Sequence, residues 1–327
     1  MTIHYDANGV TLYHGDALTI MKSLPDASVN CCVTSPPYFG LRDYGVDGQL
    51  GLEASPAEYV ENQRALFNQV RRVLADDGTL WLNLGDSFVA GGSMTGTASM
   101  RQRLNNSHLR GVVVTRGRSS LPVKNLMGIP WRVAFALQDD GWILRNAIVW
   151  HKPNGMPTSV TDRLATKYEM VFMFSKSTRY WFNLDAVRQP AKSSPEEYAR
   201  AGKSVRANHR LGEINGSKIG AKSFAADMNP LGVNPGDVWT IATQPFSEAH
   251  FATFPLAIPS RAIQAGCKPG GTVLDPFSGS GTTGLASANH DRKYIGIDIN
   301  IEYLDLSLRT RLAQQNLFAT ETTTDAT

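Results

Sequence analysis

The chain has 327 residues, 42% of them hydrophobic and 19% charged, which suits one large soluble domain carrying a smaller one. No run approaches the roughly 20 apolar residues of a membrane span, and Met1 to Asp6 open without a basic and then an apolar region, so a cytoplasmic protein is expected. Cys31 and Cys32 adjoin in an apolar run far from Cys267, which excludes a disulfide framework and zinc-ligand spacing, and a net charge of +3 does not by itself announce a polyanionic partner.

In chain order, short runs rich in Val, Ile and Leu predict strands at Thr11–Tyr13, Val29–Thr34, Thr79–Leu84, Ile143–Trp150, Glu169–Ser175, Thr272–Asp275 and Tyr294–Ile299. Amphipathic spacing predicts helices at Ser55–Leu74, Pro130–Asp139, Pro255–Ala265, Thr282–Asn289 and Ile301–Gln315. The alternation points to an α/β fold, a doubly wound, mostly parallel mixed sheet.

Two stretches break the pattern. Ala90 to Ser120 is rich in Gly, Ser, Asn and Arg without a period, and it sits in a window from Ser87 to Gln138 that holds no Asp or Glu. Arg101, Arg103, Arg110, Arg116 and Arg118 fall there, so phosphate contact and a plain solvated loop are both open. Gln189 to Asp237 is polar and punctuated by prolines, and it reads as an inserted module with its own basic residues, Arg206 and Arg210 among them. The Thr-rich end beyond Phe318 reads as a disordered tail.

Near the C-terminal end, an apolar strand closes at Asp275 and turns through Pro276, Phe277, Gly279 and Gly281 into a helix starting near Thr282. Glycines there permit the tight turn and the close backbone approach that a nucleotide-like cofactor needs. The next strand ends in Asp298, placed to accept ribose hydroxyls. No Lys-Ser or Lys-Thr follows the last glycine, so a triphosphate loop is excluded.

The strand from Val29 ends in Thr34, Ser35, Pro36, Pro37 and Tyr38. Consecutive prolines fix their own φ and hold the preceding residue extended, so the Ser35 and Pro36 carbonyls are set rigidly at the strand's C-terminal edge, and prolines donate nothing. The result is an array of acceptors: the Ser35 hydroxyl and backbone carbonyls. An aromatic amino group is a poor nucleophile because its lone pair is spread into the ring, and acceptors gripping its hydrogens would draw the nitrogen toward an attacking geometry. Tyr38 offers a flat face for an extruded base.

The Asp275-to-Thr282 turn and the Ser35-Pro36-Pro37-Tyr38 strand end together resemble the DNA amino-methyltransferases of the beta group, in which the catalytic motif precedes the cofactor motif. The resemblance spans roughly Val10 to Arg311 and implies a Rossmann-like methyltransferase fold, S-adenosyl-L-methionine as cofactor, no metal, and double-stranded DNA as substrate. It implies catalytic roles for Ser35, Pro36, Pro37 and Tyr38. Cofactor contacts are implied for Asp16 at the adenine, for Thr34, for Phe254 and Pro255 at the methionine end, and for Asp275, Pro276, Phe277, Gly279, Gly281, Thr282 and Asp298. Residues 1–183 and 241–318 would form the catalytic domain and 184–240 the target-recognition region, with 319–327 a tail.

The family usually writes serine before Pro-Pro-Tyr for cytosine N4 and Asp or Asn for adenine N6, so cytosine N4 is the expected target and adenine N6 the alternative. Lys152, in His151-Lys152-Pro153-Asn154, could contact the flipped strand or sit in a surface turn. A C5-cytosine enzyme is excluded because Cys31 and Cys32 lie within a strand; an RNA or protein methyltransferase and an inactive DNA-binding protein are the remaining readings. A second copy of the chain and a separately encoded restriction endonuclease are further partners consistent with a bacterial or phage-encoded enzyme of this group.

Overall fold

The computed structural model describes residues 2–89, 120–155, 158–191, 229–244 and 254–312. They form one body from Met1–Phe182 and Asp237–Thr327 and a second from Asn183–Gly236.

The first body is a mixed sheet with helices packed on it. Its strands are β1 (Thr2–Ala7), β2 (Val10–His14), β3 (Val29–Thr34), β4 (Leu74–Leu84), β5 (Ile143–His151), β6 (Tyr168–Ser175), β7 (Val238–Thr240), β8 (Thr272–Asp275) and β9 (Lys293–Asp298). Among the described residues the spatial order is β1-β2-β9-β8-β3-β4-β6-β5-β7. From β2 through β9, β8 and β3 to β4 every pairing is parallel, while β6 runs antiparallel to both β4 and β5. The chain leaves β3 toward β4 and leaves β8 toward β9, in opposite directions, so the β8–β3 boundary is the topological switch point where sheets of this kind bind ligands.

Local chemistry explains the helices. In α2 (Pro56–Val73), Ser55 accepts the Glu58 N–H at 3.2 Å while the Glu58 carboxylate accepts the Ala54 N–H at 2.9 Å, a reciprocal cap that starts the helix beside Pro56. Its buried stripe of Tyr59, Leu66, Phe67, Val70 and Val73 follows helical spacing and faces the sheet. α1 (Ala17–Met21) is capped by Asp16, and α3 (Ile129–Asp139) by the Asp86 carboxylate, which accepts the Ile129 N–H at 3.1 Å. α4 (Ala257–Gly266) follows Phe254 and Pro255, α5 (Thr282–Asn289) follows the glycine turn, and α6 (Ile301–Arg309) is capped by Asn300. Cys31, Cys32 and Cys267 are buried free thiols, and among the described residues no helix is long and apolar enough to cross a membrane.

Several expectations are corrected. β1, α1 and β7 were not foreseen: β1 alternates apolar and polar on an exposed edge, α1 has five residues, and β7 has three. Val238–Thr240 was assigned to the recognition region but pairs in parallel with β5 as part of the main sheet. The last helix ends at Arg309, short of Gln315, where the Thr310 backbone departs from ideal helical angles to φ −112° and ψ −75°. Within the acid-free window, Phe88 and Leu126 form a β-bridge, and the helix predicted at Pro130–Asp139 is present as α3.

In the second body, a 3₁₀ turn at Asp185–Val187 precedes a bridge between Gln189 and Val233. Arg188 ties it together, donating to Asp185 at 2.5 Å and to the Gly232 carbonyl at 3.0 Å. Arg101, Arg103, Arg110, Arg116, Arg118, Arg206 and Arg210 lie outside the described residues.

Candidate active site

Because β2, β9, β8, β3 and β4 are parallel neighbours, their C-terminal tips stand side by side. Asp16, Asp298, the Asp275 turn, Ser35 and Asn83 thus lie in a row along one edge. Three strand intervals separate the β2 tip from the β3 tip, about 14 Å. The antiparallel strands join the same edge: Leu84 at the end of β4 pairs with Met170 near the start of β6, and Tyr168 pairs with His151 at the end of β5.

On the β8 side the turn is built around a buried acid. Asp275 is 1% exposed and its oxygens are taken by its own neighbourhood: Thr34 Oγ1 donates to Oδ1 at 2.7 Å, Thr283 Oγ1 to Oδ2 at 2.7 Å, and the Phe277 N–H to Oδ1 at 3.0 Å. Burial pushes its carboxyl up to about 6 despite these donors. Thr34 and Asp275, both expected as cofactor contacts, have buried side chains that hydrogen-bond to each other. Pro276, Gly281 and Thr282 are buried as well, while Phe277 and Gly279 open to the surface. Gly281 holds φ +78° and a Cβ there would stand 2.8 Å from Ser307 Cβ, whereas a Cβ on Gly279 would meet nothing nearer than 3.9 Å. The turn thus presents an open, side-chain-free backbone above a packed base.

The neighbouring tip is different. Asp298 is partly exposed; Oδ2 accepts the Gly279 N–H at 2.7 Å and Oδ1 the Asn300 N–H at 2.8 Å, leaving lone pairs on each oxygen for a ligand. Burial and those donors compete, and burial wins, raising this carboxyl to about 6. Burial also raises the Tyr44 and Tyr303 phenols, and the Asp298 charge adds to the rise in both. Asp16 is exposed, and its Oδ1 accepts both the N–H (2.8 Å) and the hydroxyl (2.6 Å) of Thr19. The Gly15 N–H donates to the Asp298 carbonyl at 3.0 Å, locking the Asp16 and Asp298 tips together. An open backbone turn holding the partly exposed Phe277 and flanked by the Asp16 and Asp298 carboxylates fits an extended nucleoside carrying hydroxyls and a cationic tail.

On the β3 side, Ser35 stands next to a connected set of polar groups. Its hydroxyl lies 3.2 Å from Tyr38 Oη and 3.4 Å from Asn83 Oδ1. Tyr38 donates to Glu169 Oε2 at 2.8 Å and lies 3.0 Å from Asn83 Oδ1. Burial, with help from the Glu169 carboxylate, holds the Tyr38 phenol well above its ordinary range, so it stays protonated and donates. Pro36 is buried, and the Pro37 carbonyl accepts from the Tyr59 hydroxyl at 2.9 Å. Tyr38 is thus anchored by its hydroxyl. One side of its ring rests on Gly85, where a Cβ would approach Tyr38 Cε2 to 2.5 Å.

Lys152, expected as a DNA contact, is paired with Glu169 Oε1, is 19% exposed and lies 4.2 Å from the Trp150 ring centroid. Asn154 exchanges hydrogen bonds with the Thr243 backbone, closing the turn after β5. Asn83, Gly85 and Glu169 were missed in the sequence. Their signal is weak because they sit singly at the ends of apolar strands; a polar residue closing each strand next to Ser35 was the available cue.

A parallel-sheet edge with a cofactor cradle beside an acceptor-lined strand end defines a Rossmann-like methyltransferase. The DNA methylase family model matches residues 29–309, and the chain belongs to that family, in the order that places Ser35-Pro36-Pro37-Tyr38 before the cofactor turn. It is a DNA amino-methyltransferase of the N6-adenine or N4-cytosine kind, and S-adenosylmethionine is its cofactor. Type II methyltransferase M.XycI of Xanthomonas campestris pv. cyanopsidis is 44% identical over 312 residues, 94% of this chain and 89% of that protein. M.Cfr9I of Citrobacter freundii is 41% identical, over 93% of this chain and 88% of its own.

Two solved structures share the fold. PvuII DNA methyltransferase (cytosine-N4-specific) superposes with a TM-score of 0.61 at 20% identity, over 93% of this chain and 87% of that one. TTHA0409 of Thermus thermophilus, a DNA modification methylase complexed with S-adenosyl-L-methionine, gives 0.53 at 23% identity, over 93% and 95%.

Proposed function

We propose that this enzyme methylates the exocyclic N4 of cytosine at a specific site in duplex DNA, with the target base flipped out of the stack. The observation that carries the reading is Ser35: a hydroxyl at the switch-point edge whose proton has two acceptors inside the protein, Tyr38 Oη and Asn83 Oδ1, so that its lone pairs are free to face a base. S-adenosylmethionine, when bound, supplies an electrophilic methyl on a sulfonium. Ser35 and the Pro36 carbonyl would accept hydrogen bonds from the amino group and orient its lone pair toward the methyl; as the N–C bond formed the S–C bond would break, leaving a neutral thioether, and the amino nitrogen would lose one proton to solvent, with no covalent enzyme intermediate. Asp298 accepts the ribose hydroxyls, Asp16 the adenine amino group, and Phe277 and Gly279 line the cradle between them. Phe254 and Pro255 cover the methionine end, and Tyr38 stacks on the flipped base with the ring side not occupied by Gly85.

A serine in place of Asp or Asn supports cytosine, and so does the cytosine-N4 specificity of the PvuII enzyme, whose likeness is of fold. The 184–236 region, with Arg206 and Arg210 as DNA-binding residues, reads sequence, while Arg101, Arg103, Arg110, Arg116 and Arg118 contact the DNA backbone. The names of the relatives support pairing with a restriction endonuclease made as a separate protein. A homodimer is part of the same proposal. Mass spectrometry of nucleosides from unmethylated duplex DNA incubated with enzyme and S-adenosylmethionine is the test. N4-methylcytosine is expected; N6-methyladenine would keep the enzyme and overturn the inference from Ser35.

A further inference from the structure

A serine hydroxyl can donate as readily as it accepts, and a donor aimed at an amino group would repel it. Ser35 serves as an acceptor only if its proton is committed elsewhere. Asn83 is 2% exposed, and its Nδ2 has two neighbours that can only accept: the Met170 carbonyl at 3.1 Å and Glu169 Oε2 at 3.3 Å. Those neighbours fix the amide orientation and turn Oδ1 toward Ser35 and Tyr38. Tyr38 has one proton, and its shorter bond, 2.8 Å, runs to Glu169 Oε2. Its oxygen then receives the Ser35 proton. Every donor in the chain points inward, and the chain ends on Glu169, which Lys152 holds as an ion pair.

We infer that Glu169 is a positioning residue that sets the polarity of the Ser35–Tyr38–Asn83 hydrogen bonds, with Lys152 holding it in place as an ion pair. The inference rests on Ser35 being the acceptor for the substrate amino group, as proposed above. Glu169 itself does not touch the substrate. Its effect passes through two intermediaries, and hydrogen-bond chains of this kind reinforce along their length in a partly buried setting. Lys152 supplies the counter-charge for a carboxylate whose side chain is 18% exposed. Glu169→Gln keeps the shape but adds an amide that can donate to Tyr38, freeing the Tyr38 proton to point toward Ser35.

The test is a double-mutant cycle on single-turnover methyl transfer at saturating cofactor, using Glu169→Gln, Ser35→Ala and the double variant, with cofactor affinity and thermal unfolding measured for each. Glu169→Gln is expected to slow transfer by roughly 10- to 100-fold, comparable to losing one preorganised polar contact. Cofactor affinity should stay within about two-fold, and the slowing should vanish in the Ser35→Ala background. Equal losses in both backgrounds, or no loss in the parent enzyme, would overturn the inference. A Ser35→Ala variant as fast as the parent would instead overturn the role given to Ser35. Closing the cycle at Tyr38→Phe, where partial coupling is expected, keeps the result readable if Ser35→Ala transfers too slowly to follow. Fully additive effects there would also count against Glu169.

Discussion

Asp275 and Asp298 end adjacent parallel strands, and burial pushes both carboxyls up to about 6, yet the two are spent differently. Asp275 has its oxygens filled by Thr34, Thr283 and the Phe277 N–H and is 1% exposed. Asp298 accepts two backbone N–H groups that shape the loop around it and still opens to the surface. One acid builds the turn, and the other faces what the turn holds. A shifted pKa alone therefore does not identify a ligand-binding group; the partners of each oxygen do.

The widest separation should come from Asp275→Ala, which strips the acceptor from two buried hydroxyls and one N–H. Denaturant unfolding should show a loss of roughly 2–5 kcal/mol, and cofactor binding should fail with it because the turn loses its shape. If stability survives and binding alone is lost, Asp275 is a ligand group after all and the contrast collapses. Asp298→Asn should do the reverse, weakening cofactor affinity by roughly 10- to 100-fold while costing less than about 1 kcal/mol of stability. A fluorescence titration beside a melting curve checks both. Thr34→Val is smaller still: it removes one buried donor to Asp275, costs about 1–2 kcal/mol and should leave cofactor affinity nearly unchanged once the protein is folded.

The same contrast explains what could be read from the sequence. The α/β class, the two glycine- and proline-marked strand ends and seven strand positions were legible because apolar β-branched runs and turn residues are local signals. Which oxygen faces inward is not local: Thr34 and Asp275 are 241 residues apart and meet because β3 and β8 pair in parallel. Lys152 reads locally as a contact to the flipped strand or part of a surface turn, and no local signal shows that β6 brings Glu169 against it across the sheet. Val238–Thr240 was too short and too exposed at its ends to be told from the polar segment before it.

The smallest effect, and the one that tests the comparison without mutation, is on pH. For Asp275 and Asp298 the folded value, about 6, lies above the roughly 3.9 of an unfolded Asp, so the folded state binds protons more tightly. Their contribution to stability is full below about pH 4 and is lost as pH rises through about 6. His290 opposes this: burial lowers its pKa below the usual value, so it destabilises as pH falls beneath about 6.5. The cofactor-free enzyme should consequently melt slightly higher near pH 5 than near pH 7, and a His290→Asn variant should show the larger difference. Cofactor affinity should move the other way, falling as pH drops through about 6, because a protonated Asp298 is a poorer acceptor for ribose hydroxyls. In Asp298→Asn that affinity loss on acidification should disappear; if it persists, the titrating group that governs binding is Asp275, and the division between builder and binder is wrong.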